Sequence, residues 1–145
     1  MSIRCEIVSQ DRMVYQGDVD IVVLPGTDGE MGILPHHAPL LTTLKFGLIK
    51  VRAKSEEQVF TVAGGVAEVQ PDIVTVLADA AENVEEIDIA RAEAARQNAE
   101  AALSKLDRAG DVDAYLSVEA ALRRSALRLD AAKRFRTGKR HVNEE

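Results

Sequence analysis

Few side chains in this sequence could hold a metal or act as a nucleophile. His36 and His37 are adjacent, and Cys5 is the only cysteine among the 145 residues. Neighbouring side chains on an extended segment point in opposite directions, so the two histidines would not share a metal ion. A single cysteine excludes an internal disulfide, and its alternation with polar Arg4 and Glu6 predicts a buried strand thiol. We expect neither a metal centre nor a covalent catalyst.

The sequence patterns of phosphate loops and serine hydrolases are also missing. Gly64-Gly65 is not followed by the Lys and Ser or Thr of a phosphate loop, and no serine lies within a Gly-x-Ser-x-Gly pattern. The glycine pair is therefore predicted to be a turn. The sequence contains no recognisable catalytic apparatus, and we expect a protein that is not an enzyme.

Arginine side chains near the C-terminus indicate a different chemistry, the binding of anions. Residues 121–145 carry 8 Lys and Arg against 3 Asp and Glu, a net charge of +5, whereas residues 1–120 carry 10 against 21, a net charge of −11. Arg124 and Arg128 are four residues apart, so on a helix both project from one face and could bind phosphate oxygens. The basic segment is either a solvated helix face or a contact surface for phosphate, nucleic acid or an acidic protein. Its other members are Arg123, Lys133, Arg134, Arg136, Lys139 and Arg140.

Composition narrows the class of protein. Apolar residues make up 46% of the chain, which is enough for a packed core. Aromatic residues make up only 3%, with no Trp, so the bases of a single-stranded nucleic acid would find almost no side chains to stack on. No apolar run approaches the roughly 20 residues that cross a bilayer. The N-terminus has neither the apolar stretch of a signal peptide nor the composition of a transit peptide. We expect a cytoplasmic protein that meets a membrane only through a partner.

The first half of the chain has the pattern of a β-sheet. Short apolar, β-branched runs alternate with turn residues, and no helical segment intervenes. Many short strands at close spacing predict an antiparallel sandwich or flattened barrel. The predicted runs are Ile3 to Ile7, Val19 to Leu24, Leu40 to Leu44, Gly47 to Val51, Val59 to Val62 and Ile73 to Leu77. Gly47 and Gly64-Gly65 are among the residues expected to reverse the chain.

From Glu85 onward the pattern becomes helical. Alanine, leucine, arginine and glutamate dominate, and apolar residues recur at spacings of three and four. One stripe comprises Ala92, Ala95, Ala99, Ala102 and Leu106, and the other Tyr115, Val118, Leu122, Ser125, Leu129 and Ala132. Gly110 is predicted to end the first helix and Asp111 to cap the second. The result is a helical hairpin, and since alanine buries little apolar area, we expect it to be marginally stable and able to detach or open.

Together these patterns predict an α+β fold with a β-sandwich domain at residues 1–84. A helical hairpin domain with a basic tail follows at residues 85–145.

Several motifs, in a fixed order, resemble those of the epsilon subunit of bacterial F-type ATP synthases. The segment from Gly29 to Leu44 contains a glycine-rich turn and the loop Leu34-Pro35-His36-His37-Ala38-Pro39. Ala63 to Val69, Val74 to Ala81 and Ile87-Asp88-Ile89-Ala90-Arg91-Ala92 follow in the order that the family shows. The resemblance covers residues 3 to about 134.

The resemblance implies a sandwich of about ten strands that holds the gamma subunit and touches the membrane-embedded c-ring. It also implies a mobile hairpin that extends into the alpha/beta catalytic hexamer and inhibits ATP hydrolysis. Such a subunit couples gamma to the c-ring in proton-driven ATP synthesis, on the cytoplasmic face of the inner membrane, without a required cofactor. Contact candidates in the sandwich are Met31, Ile33, His37 and Leu40, each of which could equally be core or loop support.

Some family members bind ATP as a regulatory ligand, and the resemblance transfers that site to five positions. They are Glu82, Asp88, Arg91, Arg124 and Arg128. Asp88 could instead cap the first helix, and Asp88 with Arg91 could be a simple first-turn pair. Arg123, Lys133 and Arg134 are candidates for contact with an acidic surface of the beta subunits.

Two other functions remain open from the residues alone. A free-standing ATP sensor would need ATP and no partner. A nucleic-acid adaptor, which the acidic body and scarce aromatic residues disfavour, would show an affinity that falls steeply with salt.

Overall fold

The computed structural model describes the backbone of residues 1–142 and the side chains of residues 1–135. The chain divides into two compact units, residues 1–83 and a second unit that begins at Val84.

The first unit is built from eight strands. In chain order they are β1 (Ile3–Val8), β2 (Met13–Val19), β3 (Ile21–Gly26), β4 (Gly29–Ile33), β5 (Leu40–Ala53), β6 (Glu56–Val69), β7 (Ile73–Ala78) and β8 (Ala81–Asn83). They form one hydrogen-bonded sheet in the order β2-β1-β7-β6-β5-β3-β4, with β8 paired to β6. Every pairing is antiparallel except that of β1 with β7.

The sheet is open, and it folds over into two layers. The Tyr15 ring on β2 and the Phe60 ring on β6 lie 5.3 Å apart between centroids, although two strands separate β2 from β6 in the sheet order. Because neighbouring strands are about 4.8 Å apart, a flat sheet could not bring these rings together. The enclosed core includes the fully buried Ile3, Leu24 and Phe60, so the predicted sandwich is confirmed.

Within the described residues, the structure has eight strands where the resemblance implied about ten, and two turns predicted from glycines are absent. Predicted turns at Gly47 and Gly64-Gly65 are instead positions inside the 14-residue strands β5 and β6. Gly64 and Gly65 have φ angles of 86° and 139°, which bend β6 without ending it. A β-carbon on Gly65 would lie 2.4 Å from the Leu77 carbonyl oxygen, so the glycine also permits β7 to approach. The predicted runs Leu40 to Leu44 and Gly47 to Val51 are thereby merged into β5, and the run Val59 to Val62 is part of the longer β6.

The second unit consists of a 3-10 helix (Val84–Glu86) and two α-helices, α1 (Ile89–Lys105) and α2 (Val112–Val142). The two α-helices pack together, and the six-residue connection between them makes the pair antiparallel. The predicted hairpin is confirmed. The 3-10 helix packs on α2.

The helix ends agree with the sequence signals at two of three positions. The Asp88 Oδ1 atom accepts a hydrogen bond from the Arg91 amide at 3.0 Å and caps α1. Asp111 caps α2 in the same way through the Ala114 amide at 3.0 Å. Gly110 does not end the first helix, because α1 stops at Lys105, where the Leu106 amide bonds back to the Leu103 carbonyl at 3.2 Å.

Small side chains occupy most of the buried positions of the helices. Ala92 and Ala99 are buried in α1, whereas Ala95, predicted on the same stripe, is exposed. In α2 the predicted stripe is buried at Ser125, Leu129 and Ala132, joined by Ala131. The Ser125 hydroxyl donates to the Ala121 carbonyl at 2.9 Å, which satisfies a polar group in that buried position.

Candidate functional site

The loop between β4 and β5 is shaped by its backbone. His36 has a left-handed φ of 67°, and its amide donates to the Pro71 carbonyl oxygen at 2.8 Å. The His37 amide donates to the Leu34 carbonyl oxygen at 3.2 Å, and His37 Nδ1 lies 2.7 Å from the Ala38 carbonyl oxygen. Both histidines therefore have structural contacts. Within residues 1–135, no cluster of three or more His, Cys, Asp or Glu side chains could hold a metal.

The four contact candidates of this region differ in exposure. Ile33 is fully buried in the core, which fits the core alternative and not direct contact. Met31 is half-buried and packs on the core, and His37 is also half-buried. Leu40 is 38% exposed. Two neighbours that the sequence reasoning did not select, Leu34 at 56% and Leu41 at 71%, are more exposed than any of the four.

A row of apolar side chains crosses four strands on the outer face of the sheet. The register pairs Val66 with Leu77, Leu77 with Val8, and Val8 with Met13. Leu77 is 58% and Met13 46% exposed, and the other two are half-buried. We call these four residues the outer apolar row. An apolar stretch of this kind on an exposed sheet face is typical of a surface that another protein covers.

The outer apolar row was missed in the sequence, although a signal was present. In β7 the buried residues Val74, Val76 and Ala78 alternate as expected, but Leu77 occupies an outward position where a polar residue would suit water. In β1 Val8 similarly follows the buried Ile7. Strands that are apolar on both faces indicate that both faces become covered.

Polar side chains border the outer apolar row. On the same face of β1, Glu6 and Arg4 lie two and four residues before Val8. Arg4 forms ion pairs with Glu6 at 3.1 Å and with Asp18 at 4.0 Å. Its guanidinium also donates to the Gln16 side-chain oxygen at 3.3 Å. This combination of an apolar strip and a charged border has the composition of a protein-binding surface with a polar rim.

The five ATP candidates are divided between the two units. Glu82 lies half-buried on β8 of the first unit, where its carbonyl oxygen accepts a hydrogen bond from Thr61 Oγ1 at 3.4 Å. The other four belong to the helical unit. Asp88 and Arg91 share the first turn of α1, where Asp88 caps the helix. Arg124 is exposed and Arg128 half-buried on α2.

The acidic-surface candidates lie on α2. Arg123, Lys133 and Arg134 are exposed, and the Arg134 guanidinium stacks over the Phe135 ring at 5.5 Å from its centroid. The side chains of Arg136, Lys139 and Arg140 lie outside the described residues. On α1, Arg96 forms ion pairs with Glu93 and, at 3.0 Å, with Glu100. The Arg96 hydrogen bond is the main cause that lowers the pKa of Glu93, opposed by desolvation.

Cys5 is fully buried, as the strand pattern predicted. Burial, assisted by the charge of Glu6, raises the pKa of its thiol to about 12. Since thiolate is the reactive form, this cysteine is inert at neutral pH. Among the described helices, none combines the length and apolar character that a membrane span requires.

Both units match known protein families. The sequence model of "ATP synthase, Delta/Epsilon chain, beta-sandwich domain" matches residues 2–84, and that of "ATP synthase, Delta/Epsilon chain, long alpha-helix domain" matches residues 85–133.

Individual relatives extend the similarity over most of the chain. The ATP synthase epsilon chain of Dehalococcoides mccartyi is 48% identical over 134 residues, which cover 92% of this chain and 94% of that one. The epsilon chain of Acidithiobacillus ferridurans is 44% identical over 138 residues, 94% of both chains.

Solved structures show the same fold. A chain of the mitochondrial ATP synthase of Euglena gracilis, solved as OSCP/F1/c-ring, superposes with a TM-score of 0.69 at 26% identity, covering 84% of this chain and 76% of that one. A chain of the Tetrahymena thermophila central stalk and c-ring superposes with a TM-score of 0.56 at 12% identity, covering 91% and 97%.

Proposed function

Because this chain belongs to the ATP synthase delta/epsilon family, we propose that it is a non-catalytic subunit of the rotor. In this role the sandwich joins the gamma subunit to the c-ring during proton-driven ATP synthesis. The helical hairpin restrains ATP hydrolysis by the alpha/beta hexamer. The chain works on the cytoplasmic face of the inner membrane, which it meets through the complex.

The outer apolar row is the observation that carries this proposal. Leu77 and Met13 expose apolar area that water disfavours. The paired strands β6, β7, β1 and β2 present this area on one sheet, with a register shift between Ile7 and Val8 beside the Val8–Met13 pair. A rotor subunit must transmit torque, and a rigid sheet face deforms less than a loop. We assign this face to gamma. Leu34 in the β4–β5 loop and Leu41 at the start of β5 are both exposed. We assign them to a second contact, shared between gamma and the c-ring.

A single substitution tests the gamma contact. Leu77→Asp places a charge in the centre of the outer apolar row, which should weaken gamma binding by about tenfold or more if the row is buried on assembly. Leu116→Asp is the matched control, because Leu116 is 52% exposed but lies on α2. Binding is measured by titrating the chain into a gamma-containing complex. Equal affinity of the Leu77→Asp variant and the wild type would remove the outer face from the proposal.

Regulation by ATP is a further part of the proposal. Arg124 and Arg128 supply two guanidinium groups one helical turn apart, a spacing that suits phosphate oxygens. Glu82, Asp88 and Arg91 are the other proposed ligands. Calorimetric titration of the isolated chain with ATP, repeated with Arg124→Ala, tests the site. No heat and no rise in melting temperature at millimolar ATP would contradict it.

A further inference from the structure

The last strand of the sheet runs directly into the helical unit. β8 ends at Asn83 and the 3-10 helix begins at Val84, with no residue between them. The division between the two compact units falls at the same peptide bond. The 3-10 helix packs on α2, and Val84 is only 2% exposed, so this turn belongs mechanically to the helices. No residue separates β8 from the helical unit, so a displacement of the helical unit acts first on the backbone at Asn83 and Val84.

β8 pairs with the sheet through only three residues. The strand has three residues and, among the described residues, pairs with β6 alone, in the register Phe60 with Asn83, Thr61 with Glu82 and Val62 with Ala81. By comparison, β6 pairs with β5 along its 14 residues. β8 also contacts β2, but it has only one hydrogen-bonded neighbour strand, and a short strand paired on one side opens at a lower free energy than a long central one.

Thr61 adds a side-chain contact to this ladder. It is a buried polar residue of the sheet, 5% exposed, and its hydroxyl donates to the Glu82 carbonyl oxygen at 3.4 Å. The Asn83 side-chain amide also donates to the Gln58 side-chain oxygen at 3.4 Å. Both contacts connect β8 to β6 and would break together if β8 left the sheet.

We propose that β8 is a detachable strap: displacement of the helical unit peels Ala81–Asn83 from β6, and Thr61 is the positioning residue that sets how readily this happens. Movement of the hairpin and separation of β8 from β6 then form one cooperative event. The inference deepens the proposed mobile hairpin, and its regulatory meaning rests on that proposed function.

Hydrogen exchange of the full chain, resolved by residue, tests the coupling. If the strap and the helices open together, the protected amides of β8 and of α1 share one opening free energy, well below that of the paired amides of β5 and β6. Protection of β8 that equals that of the central strands, with faster exchange in α1, would overturn the proposal.

A matched pair of variants assigns the role of Thr61. Thr61→Val removes the hydroxyl and keeps the branched shape, and should accelerate exchange in both β8 and α1 by the same factor, about twofold to tenfold. Thr75→Val is the control, because Thr75 lies on β7, which does not pair with β8, and it should change neither. Acceleration confined to β8, with α1 unchanged, would show a merely structural contact and refute the coupling.

The result is independent of whether the hairpin inhibits the hexamer. Exchange on the isolated chain reports the strap alone, whereas ATP hydrolysis by the complex reports inhibition. Coupled exchange without inhibition would reject the proposed function and keep the strap, and inhibition without coupled exchange would do the reverse.

Discussion

At the scale of single residues, Cys5 shows how burial controls chemistry. Its folded thiol has a pKa of about 12 against a reference value of 9.0, so the unfolded chain ionises first as pH rises. The stabilisation is complete below pH 9 and is lost progressively from pH 9 towards 12. We expect Cys5→Ala to show a shallower loss of stability over this range than the wild type in urea titrations. Identical pH slopes would show that the thiol does not titrate differently on folding.

Gly65 illustrates a second requirement at single residues, because the backbone of β6 lies very close to the backbone of β7 at this position. A β-carbon there meets the Leu77 carbonyl oxygen at 2.4 Å and the Ala78 α-carbon at 2.8 Å, at a φ of 139°. Gly29 has a nearly identical φ of 138° but nothing within 4 Å. Gly29→Ala should therefore cost about 1–2 kcal/mol of strain alone, and Gly65→Ala about 3 kcal/mol or more, because the clash is added. Urea unfolding of both variants measures the difference, and equal costs would mean that β7 simply moves away.

At the scale of elements, α1 depends on its cap as much as on its packing, since its buried side chains are mainly alanine. Asp88→Ala removes the acceptor for the Arg91 amide and should cost about 1 kcal/mol, whereas Asp88→Asn keeps an acceptor and should cost little. Hydrogen exchange of the first turn of α1 measures this. The two variants also distinguish the role of Asp88 as a helix cap from its proposed role as an ATP ligand. Tight ATP binding by the Asp88→Asn variant would show that the carboxylate charge is not needed for ATP binding.

The strands and helices also show which parts of the fold could be predicted from the sequence. The change from β to helical periodicity near Glu85, the Asp88 and Asp111 caps and the buried alternation of Ile3, Cys5 and Ile7 were all predictable, because each depends on local spacing. The continuity of β5 and β6 was not, since Gly64 and Gly65 can bend a strand or end it. The outer apolar row was also missed, because its four residues come from four different strands and only the strand pairing aligns them.

At the scale of the whole molecule, the charge contrast between the acidic body and the basic end of α2 becomes the central prediction. Reversing Arg123, Arg124 and Arg128 to Glu should raise ATP hydrolysis by the assembled complex several-fold, because the wild-type basic face attracts an acidic surface of the beta subunits and the reversed, acidic face would be repelled by it. Lys105→Glu with Arg108→Glu is the control: both are exposed basic residues outside that face, and their reversal should leave inhibition intact.

A chain that ends at Asn83 gives the upper limit for that effect, since it lacks the helical unit and keeps the outer apolar row. If the truncated chain raises hydrolysis but the charge reversal does not, the hairpin inhibits by occupying space and the arginines are only a solvated face. If neither raises it, the sandwich alone accounts for the subunit, and the helices have another role. Because gamma binding through Leu77 is measured separately, loss of assembly cannot be mistaken for relief of inhibition.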